Sequence, residues 1–419
     1  MVAAIRDAEW FTAFPEDYRW SYNVMIELAQ ARSGGAEVGE VDRICRRLAG
    51  RVGDDDAWFT EWKATADQVA ALGEAALARG DRRSAMAQLR RASSYYFAAE
   101  RFRFPKDEAA LDCYREMLRT FRAAAELDET TPISHVEIPY VDIDGNTTAL
   151  PAFFASAGPG TPAVVFMNGF DGNKELNWFL GVEELVARGI SVLSMDSPGV
   201  GEAIRFRGIP LRHDYEAAGS AGLDWLEANT DVDASRVGVM ALSLGGYYAT
   251  RSASMDPRFA ACVAWGAIWD YHRIWQERVN AAFAKQLPVP GDHLVWSTGT
   301  KSVEEALELL EGFRLSGVVE NMRCPYLVVH GEDDQQVPVA DAERLHAAAG
   351  SADKTLRVFT AEEGGAQHCH MDNLSIALPE IYGWLADRLG AGTAAGNAAD
   401  NEPALASAST NTLDEERSR

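Results

Sequence analysis

The run Val237-Gly238-Val239-Met240-Ala241-Leu242-Ser243-Leu244-Gly245-Gly246-Tyr247-Tyr248 constrains this chain more than any other stretch. A β-branched apolar segment stops at small-x-Ser-x-Gly, and the residues beyond it continue in a helical pattern. That layout predicts a tight strand-to-helix turn that holds the Ser243 hydroxyl clear of a sheet. Small residues are needed around the serine because larger side chains clash in so sharp a bend, and glycine accepts backbone angles that others avoid. Ala241 fills the first small position, where glycine is the more usual occupant.

Such a string is a weak signal alone. Its downstream context strengthens it. Residues 325–330 (PYLVVH) read as a short buried strand that runs into the acid-rich turn Gly331-Glu332-Asp333-Asp334-Gln335-Gln336-Val337-Pro338. Asp334, three residues ahead of Val337-Pro338, is the expected orienting carboxylate, and Asp333 is its close competitor. Residues 355–360 (TLRVFT) form a further strand, followed by Gly365-Ala366-Gln367-His368-Cys369-His370 and a closing helix from Leu374 to Leu389. His368 is preferred to His370 as the base because it follows the small residues that open the loop. Ser, then Asp, then His is the chain order of the α/β-hydrolase fold. Imidazole, with a pKa of about 6.5, can take the serine proton and return it near neutral pH. The carboxylate fixes its tautomer and stabilises its charged form.

Serine attack on a carbonyl develops negative charge on oxygen, which must meet donors already aimed at it. The backbone N–H of Leu244, next after the serine, is one candidate. The N–H of Phe170 is the other, in the loop that follows the apolar strand 163–167 and opens a helix through Asn168-Gly169-Phe170-Asp171-Gly172-Asn173-Lys174-Glu175. The segment Val192 to Glu202 closes another strand into a tight loop and reads as architectural.

Residues 1–130 read as a helical N-terminal cap domain, Ala-rich with apolar spacing of three and four, and Gly80-Asp81 separates two helices as in a helical hairpin. No sustained repeat period follows. Tyr95 and Tyr96, in an unusually aromatic helix, are candidate substrate contacts, with core packing the competing reading. Near Thr130-Thr131-Pro132 the pattern changes to strand alternation, and a hairpin over 134–154 opens the catalytic domain, residues 131–390. Strands then alternate with helices, which predicts a mostly parallel sheet with helices on both faces. A helical insertion at about 268–320 carries Trp269, Tyr271, Trp275 and Trp296 and is expected to wall the pocket. Residues 391–419, rich in Ala, Gly, Ser, Thr and Asn, are expected to be a disordered tail.

The net charge of −24 argues against nucleic acid and anionic membrane surfaces as partners. No apolar run approaches the roughly 18 residues of a membrane span. Five scattered cysteines without framework spacing, and an N-terminus without a signal pattern, predict reduced thiols and a cytoplasmic setting. Cys369 beside His368 lacks further ligands, so neither metal nor other cofactor is expected. The expected partner is a small-molecule substrate, and a homodimer through the helical domain is compatible with the sequence.

With these residues in view, the chain resembles the α/β-hydrolase family that includes 2,6-dihydroxypseudooxynicotine hydrolase, the fermentation-respiration switch proteins and fungal polyketide-shortening hydrolases. The resemblance covers most of residues 1–390. It rests on residues 243–249 (SLGGYYA), Asn168-Gly169-Phe170 with Lys174-Glu175, Trp265-Gly266-Ala267, and His368-Cys369-His370. Where the family usually has Gly and Arg just before the serine, this chain has Ala241 and Leu242. The resemblance implies cleavage of a carbon–carbon bond next to a ketone, in an aromatic or polyketide-like molecule, by Ser243, Asp334 and His368. Such cleavage needs a stabilised carbanion, and an extra acid that polarises the substrate suits it. Glu277, and after it Asp270, are the candidates, against the reading of a solvated helix face. The same machinery also serves a carboxylesterase or thioesterase, or an acyl-eliminating or cyclising enzyme of natural-product synthesis. A non-catalytic regulator is the reading from a different class.

Overall fold

The computed structural model describes residues 11–142, 144–279 and 291–391. The expected tail beyond Ala391 and residues 280–290 of the expected helical insertion therefore lie outside the described residues. Among the described residues, five α-helices come first: Tyr18–Ala29 (α1), Val38–Leu48 (α2), Asp55–Ala78 (α3), Arg82–Glu100 (α4) and Glu108–Ala125 (α5). Four of them begin on an aspartate whose carboxylate accepts a backbone N–H of the first turn: Asp17 from Trp20, Asp54 from Ala57, Asp81 from Ser84 and Asp107 from Ala110. Each such cap satisfies a donor that the helix leaves orphaned and contributes about 1 kcal/mol. The turn at Gly80 has φ +80°, which ends α3 and lets α4 fold back against it. Gly73 is the close-approach point of that pair, since a Cβ there would lie 2.8 Å from Leu89 Cγ.

Among the described residues, eight strands follow in one sheet, ordered β1-β2-β4-β3-β5-β6-β7-β8. They are Ile133–Val141 (β1), Thr147–Ala155 (β2), Ala163–Met167 (β3), Ser191–Met195 (β4), Val237–Leu242 (β5), Ala261–Trp265 (β6), Tyr326–Gly331 (β7) and Lys354–Phe359 (β8). The β1–β2 hairpin is antiparallel, with Ile138 opposite Leu150, and β2 runs antiparallel to β4. All pairings from β4 across to β8 are parallel. Strands β3 to β7 are buried along their whole length, so both faces need apolar side chains and the sequence shows continuous runs there instead of alternation. One sheet face packs on the helix Leu374–Leu389 and the N-terminal helices, the other on the helices Glu216–Asn229, Gly245–Met255, Tyr271–Val279, Gly291–Thr298 and Val303–Leu310. The apolar core of the helical region is continuous with the first face: Phe121 of α5 meets Phe153 of β2 at 5.9 Å between ring centroids.

This topology decides where chemistry occurs. The loops after β3, β5, β7 and β8 all leave the carboxyl ends of neighbouring parallel strands, the edge at which open α/β sheets bind ligands. Among the described residues, no helix is long and apolar enough to cross a membrane.

Candidate active site

Ser243 follows the last residue of β5 and has φ +60°, in the left-handed region that costs an L residue roughly 1–2 kcal/mol. The surroundings hold it there. Its N–H donates to Trp265 O at 2.8 Å, and its carbonyl accepts from Gly246 N at 2.8 Å. The two glycines after it have no space for a side chain. A Cβ at Gly245 would lie 2.6 Å from Ala241 Cβ, and one at Gly246 would lie 1.7 Å from Gly266 O.

His368 Nε2 lies 2.7 Å from Ser243 Oγ, and His368 Nδ1 lies 2.7 Å from Asp334 Oδ2. Three residues 91 and 34 positions apart in sequence thus form one hydrogen-bonded relay. Asp334 is fixed by its own turn: its Oδ1 accepts Gln336 N–H at 2.8 Å and Val337 N–H at 3.0 Å. Burial pushes its carboxyl pKa up, but the His368 imidazole, then His330 and the Val337 amide, outweigh that and hold it below the ordinary range. Burial likewise disfavours imidazolium at His368, yet the adjoining Asp334 carboxylate, and then Cys369, lift its pKa above the ordinary value. The competitor Asp333 instead donates its backbone N–H to Ala366 O at 3.0 Å. His370 is bonded elsewhere: its Nδ1 is 2.7 Å from Gly365 O, its ring packs 4.6 Å from Phe359, and burial pushes it down to about 4.

The Asn168–Asp171 strap after β3 lies against the serine turn. A Cβ at Gly169 would be 2.8 Å from Ser243 Cβ, so only glycine permits this approach. Asn168 shapes the strap from within, accepting Gly169 N–H at 2.7 Å and donating to Asn177 Oδ1 at 2.6 Å. The N–H groups of Phe170 and Leu244 donate to no protein acceptor among the described residues. Beneath the strap, buried Asp196 accepts the N–H groups of Lys174 at 2.8 Å and Glu202 at 2.9 Å and pairs with Lys174 Nζ at 3.0 Å. Gly201 is required there, because a Cβ would fall 2.1 Å from Asp196 Cγ.

The four candidate substrate contacts have partners of their own. Tyr95 is packed among the N-terminal helices, its hydroxyl donating to Glu40 at 2.8 Å and accepting Glu37 N–H at 2.9 Å. Tyr96 donates to Asp67 at 2.8 Å. Both rings serve helix packing, the competing reading of that aromatic cluster. Glu277 is exposed and bonded to Arg273 at 2.8 Å. Asp270 accepts Arg273 N–H at 2.9 Å and pairs with Arg314 at 3.4 Å. None of the four bonds to Ser243, Asp334 or His368 among the described residues.

Other residues brace the Ser243–His368–Asp334 relay. Tyr22 of α1 donates its hydroxyl to His368 O at 3.1 Å, and its ring lies 5.9 Å from the imidazole. Tyr18, one turn earlier, accepts from Gln336 Nε2 at 3.2 Å. Their spacing of four is the only trace in sequence. His330, at the end of β7, accepts Ala267 N–H through Nδ1 at 3.2 Å and donates through Nε2 to Val337 O at 2.9 Å, bracing the Asp334 turn.

A doubly covered, mostly parallel sheet with a serine on a strained strand-to-helix turn defines an α/β-hydrolase, an enzyme class. Known proteins agree. The chain belongs to the FrsA-like esterase family, whose profile, described as Esterase FrsA-like, matches residues 47–389. It is 28% identical to Hydrolase acrC of Aspergillus aculeatus, over 90% of this chain and 97% of that one. It is also 28% identical to 20-hydroxy-prefusarin hydrolase FUS2 of Gibberella moniliformis, over 84% of this chain and 92% of that one. Among solved structures, 2,6-dihydroxy-pseudo-oxynicotine hydrolase shares the fold with a TM-score of 0.70 at 24% identity, covering 86% of this chain and 95% of the other.

Proposed function

We propose that this chain is a serine hydrolase that cleaves a carbon–carbon bond next to a ketone in an aromatic or polyketide-like small molecule. The observation that carries the reading is the unbroken Ser243–His368–Asp334 relay, with both links at 2.7 Å. His368 takes the Ser243 proton as Oγ adds to the substrate carbonyl, and Asp334 stabilises the imidazolium. The N–H groups of Phe170 and Leu244 meet the oxyanion. Collapse expels the carbon leaving group with the bonding electron pair, and His368 returns the proton to that carbon. Water, deprotonated by His368, then releases the acyl group from Ser243 as a carboxylic acid. The leaving carbanion must be delocalised, as an enolate or phenol-conjugated anion is. Relatives named hydrolases, one for 20-hydroxy-prefusarin, support a substrate of this kind.

The family's esterase description favours a second reading, ester or thioester hydrolysis by the same residues. Assay of the purified chain against a β-diketone panel and short p-nitrophenyl esters separates the two. Release of an acid and a ketone from a diketone is expected. Rapid ester turnover with no diketone cleavage would leave the esterase reading in its place.

A further inference from the structure

The strap that carries Phe170 is held from two directions by parts of the molecule outside the sheet. From the helical domain, Arg101 follows α4 with its side chain only 4% exposed and bonds through Nη2 to the Asp171 carboxylate. Its guanidinium lies 5.7 Å from the Phe97 ring, which limits where it can point. From the insertion, the His293 ring stands edge-on to the Phe170 ring at 4.7 Å between centroids. Its Nε2 lies 3.4 Å from the Phe170 carbonyl oxygen, a long hydrogen bond that the ring contact reinforces. His293 is itself wedged by Phe104 at 5.6 Å and Trp296 at 5.5 Å. Burial pushes its pKa down to about 3, so at neutral pH the ring is uncharged and one nitrogen donates. Phe170 and Asp171 are adjacent, so the His293 contact on the Phe170 ring and carbonyl and the Arg101 contact on the Asp171 carboxylate hold consecutive residues of the strap.

We propose that Arg101 and His293 are positioning residues for the oxyanion donor, acting through Asp171 and through the Phe170 ring and carbonyl. The inference rests on Ser243 being the nucleophile and the Phe170 N–H being an oxyanion donor. It gives the helical domain and the insertion a share in the chemical step, because a donor displaced by a fraction of an ångström stabilises the developing oxyanion less while ground-state binding is little changed.

The test is steady-state kinetics on one hydrolysed substrate for wild type, Ser243→Ala, Arg101→Met, His293→Phe and His293→Gln, with thermal melts of each. His293→Phe keeps an aromatic ring and removes the donor, whereas His293→Gln restores a donor near the Nε2 position. The expected result for His293→Phe is a fall in kcat on the order of 10- to 100-fold with KM within about twofold, and recovery of most of it in His293→Gln. Arg101→Met is expected to lower kcat in the same way. Should Arg101→Met fail to fold, the histidine pair carries the test alone. Wild-type kcat in His293→Phe, or a loss in KM and melting temperature that His293→Gln does not repair, overturns the proposal. Turnover retained in Ser243→Ala overturns the nucleophile instead, so the two failures are distinguishable.

Discussion

Tyr22 and His368, 346 residues apart, are joined by a hydrogen bond of 3.1 Å from the tyrosine hydroxyl to the histidine carbonyl. The first helix of the N-terminal region is therefore tied to the loop that bears the candidate base. Consecutive residues of that loop, Cys369 and His370, have φ of +53° and +59°, and a tether on the preceding carbonyl opposes its relaxation. Tyr22→Phe removes the bond and keeps the ring. It should cost about 1 kcal/mol in urea denaturation and lower kcat several-fold. Unchanged stability and unchanged kcat would show that the tether does nothing.

Asp334→Asn should reduce kcat by about four orders of magnitude, because an amide cannot hold the imidazole in the required tautomer or stabilise its cation. Asp333→Asn should stay within a few-fold of wild type. The kinetics of the two variants check the assignment, and the reverse pattern would move the carboxylate role to Asp333.

Asp334 raises the His368 pKa, and His368 must be unprotonated to accept a proton from Ser243. The acid limb of kcat/KM should then fall above the ordinary imidazole value of 6.5. An NMR titration of His368 should show the same elevation, and its disappearance in Asp334→Asn. The sign for stability runs the other way. A raised folded pKa contributes stability that is complete below 6.5 and is lost as pH rises through the folded value. Asp334, held low, contributes above its ordinary 3.8 and loses that contribution as pH falls through its depressed value. The relay should therefore stabilise the fold most between 3.8 and 6.5, although activity rises above that window.

Two glycines should respond oppositely to alanine. At Gly246 the added Cβ meets the Gly266 carbonyl at 1.7 Å, and backbone on both sides leaves nothing to yield. Gly246→Ala should destabilise by about 3 kcal/mol or more or fail to give soluble protein. Gly383, inside the helix Leu374–Leu389, has no atom within 4 Å of the added Cβ. Gly383→Ala should raise stability by up to about 1 kcal/mol. Urea denaturation of both variants is the check.

The parts of the site that sit on short local patterns were legible in the sequence. The serine turn is dictated by Ala241, Gly245 and Gly246, whose crowding leaves no alternative geometry. Buried parallel strands announce themselves as unbroken apolar runs, so β3, β5 and β7 were visible with the loops they feed. Asp334 and Asp333 are chemically alike, and the preference for the former depended on its distance from Val337-Pro338. In the structure that distance corresponds to the Asp334 carboxylate capping the Gln336 and Val337 amides. Long-range packing was not legible. Tyr95 and Tyr96 look the same in sequence whether they face a pocket or Glu40 and Asp67. In sequence Glu277 has the chemistry of a polarising acid, and only the fold shows it bonded to Arg273 on an exposed helix face. Beyond the spacing of four between Tyr18 and Tyr22, Tyr22, Arg101 and His293 left no sequence signal, because each acts on a residue at least 70 positions away.

The most direct test of the central claim is peptide mapping after treatment of the folded chain with a fluorophosphonate probe. One adduct, on Ser243, absent from Ser243→Ala and slowed by Asp334→Asn, is the predicted result. Folded protein that takes no label at Ser243, or labels at another residue while turnover persists in Ser243→Ala, would contradict it.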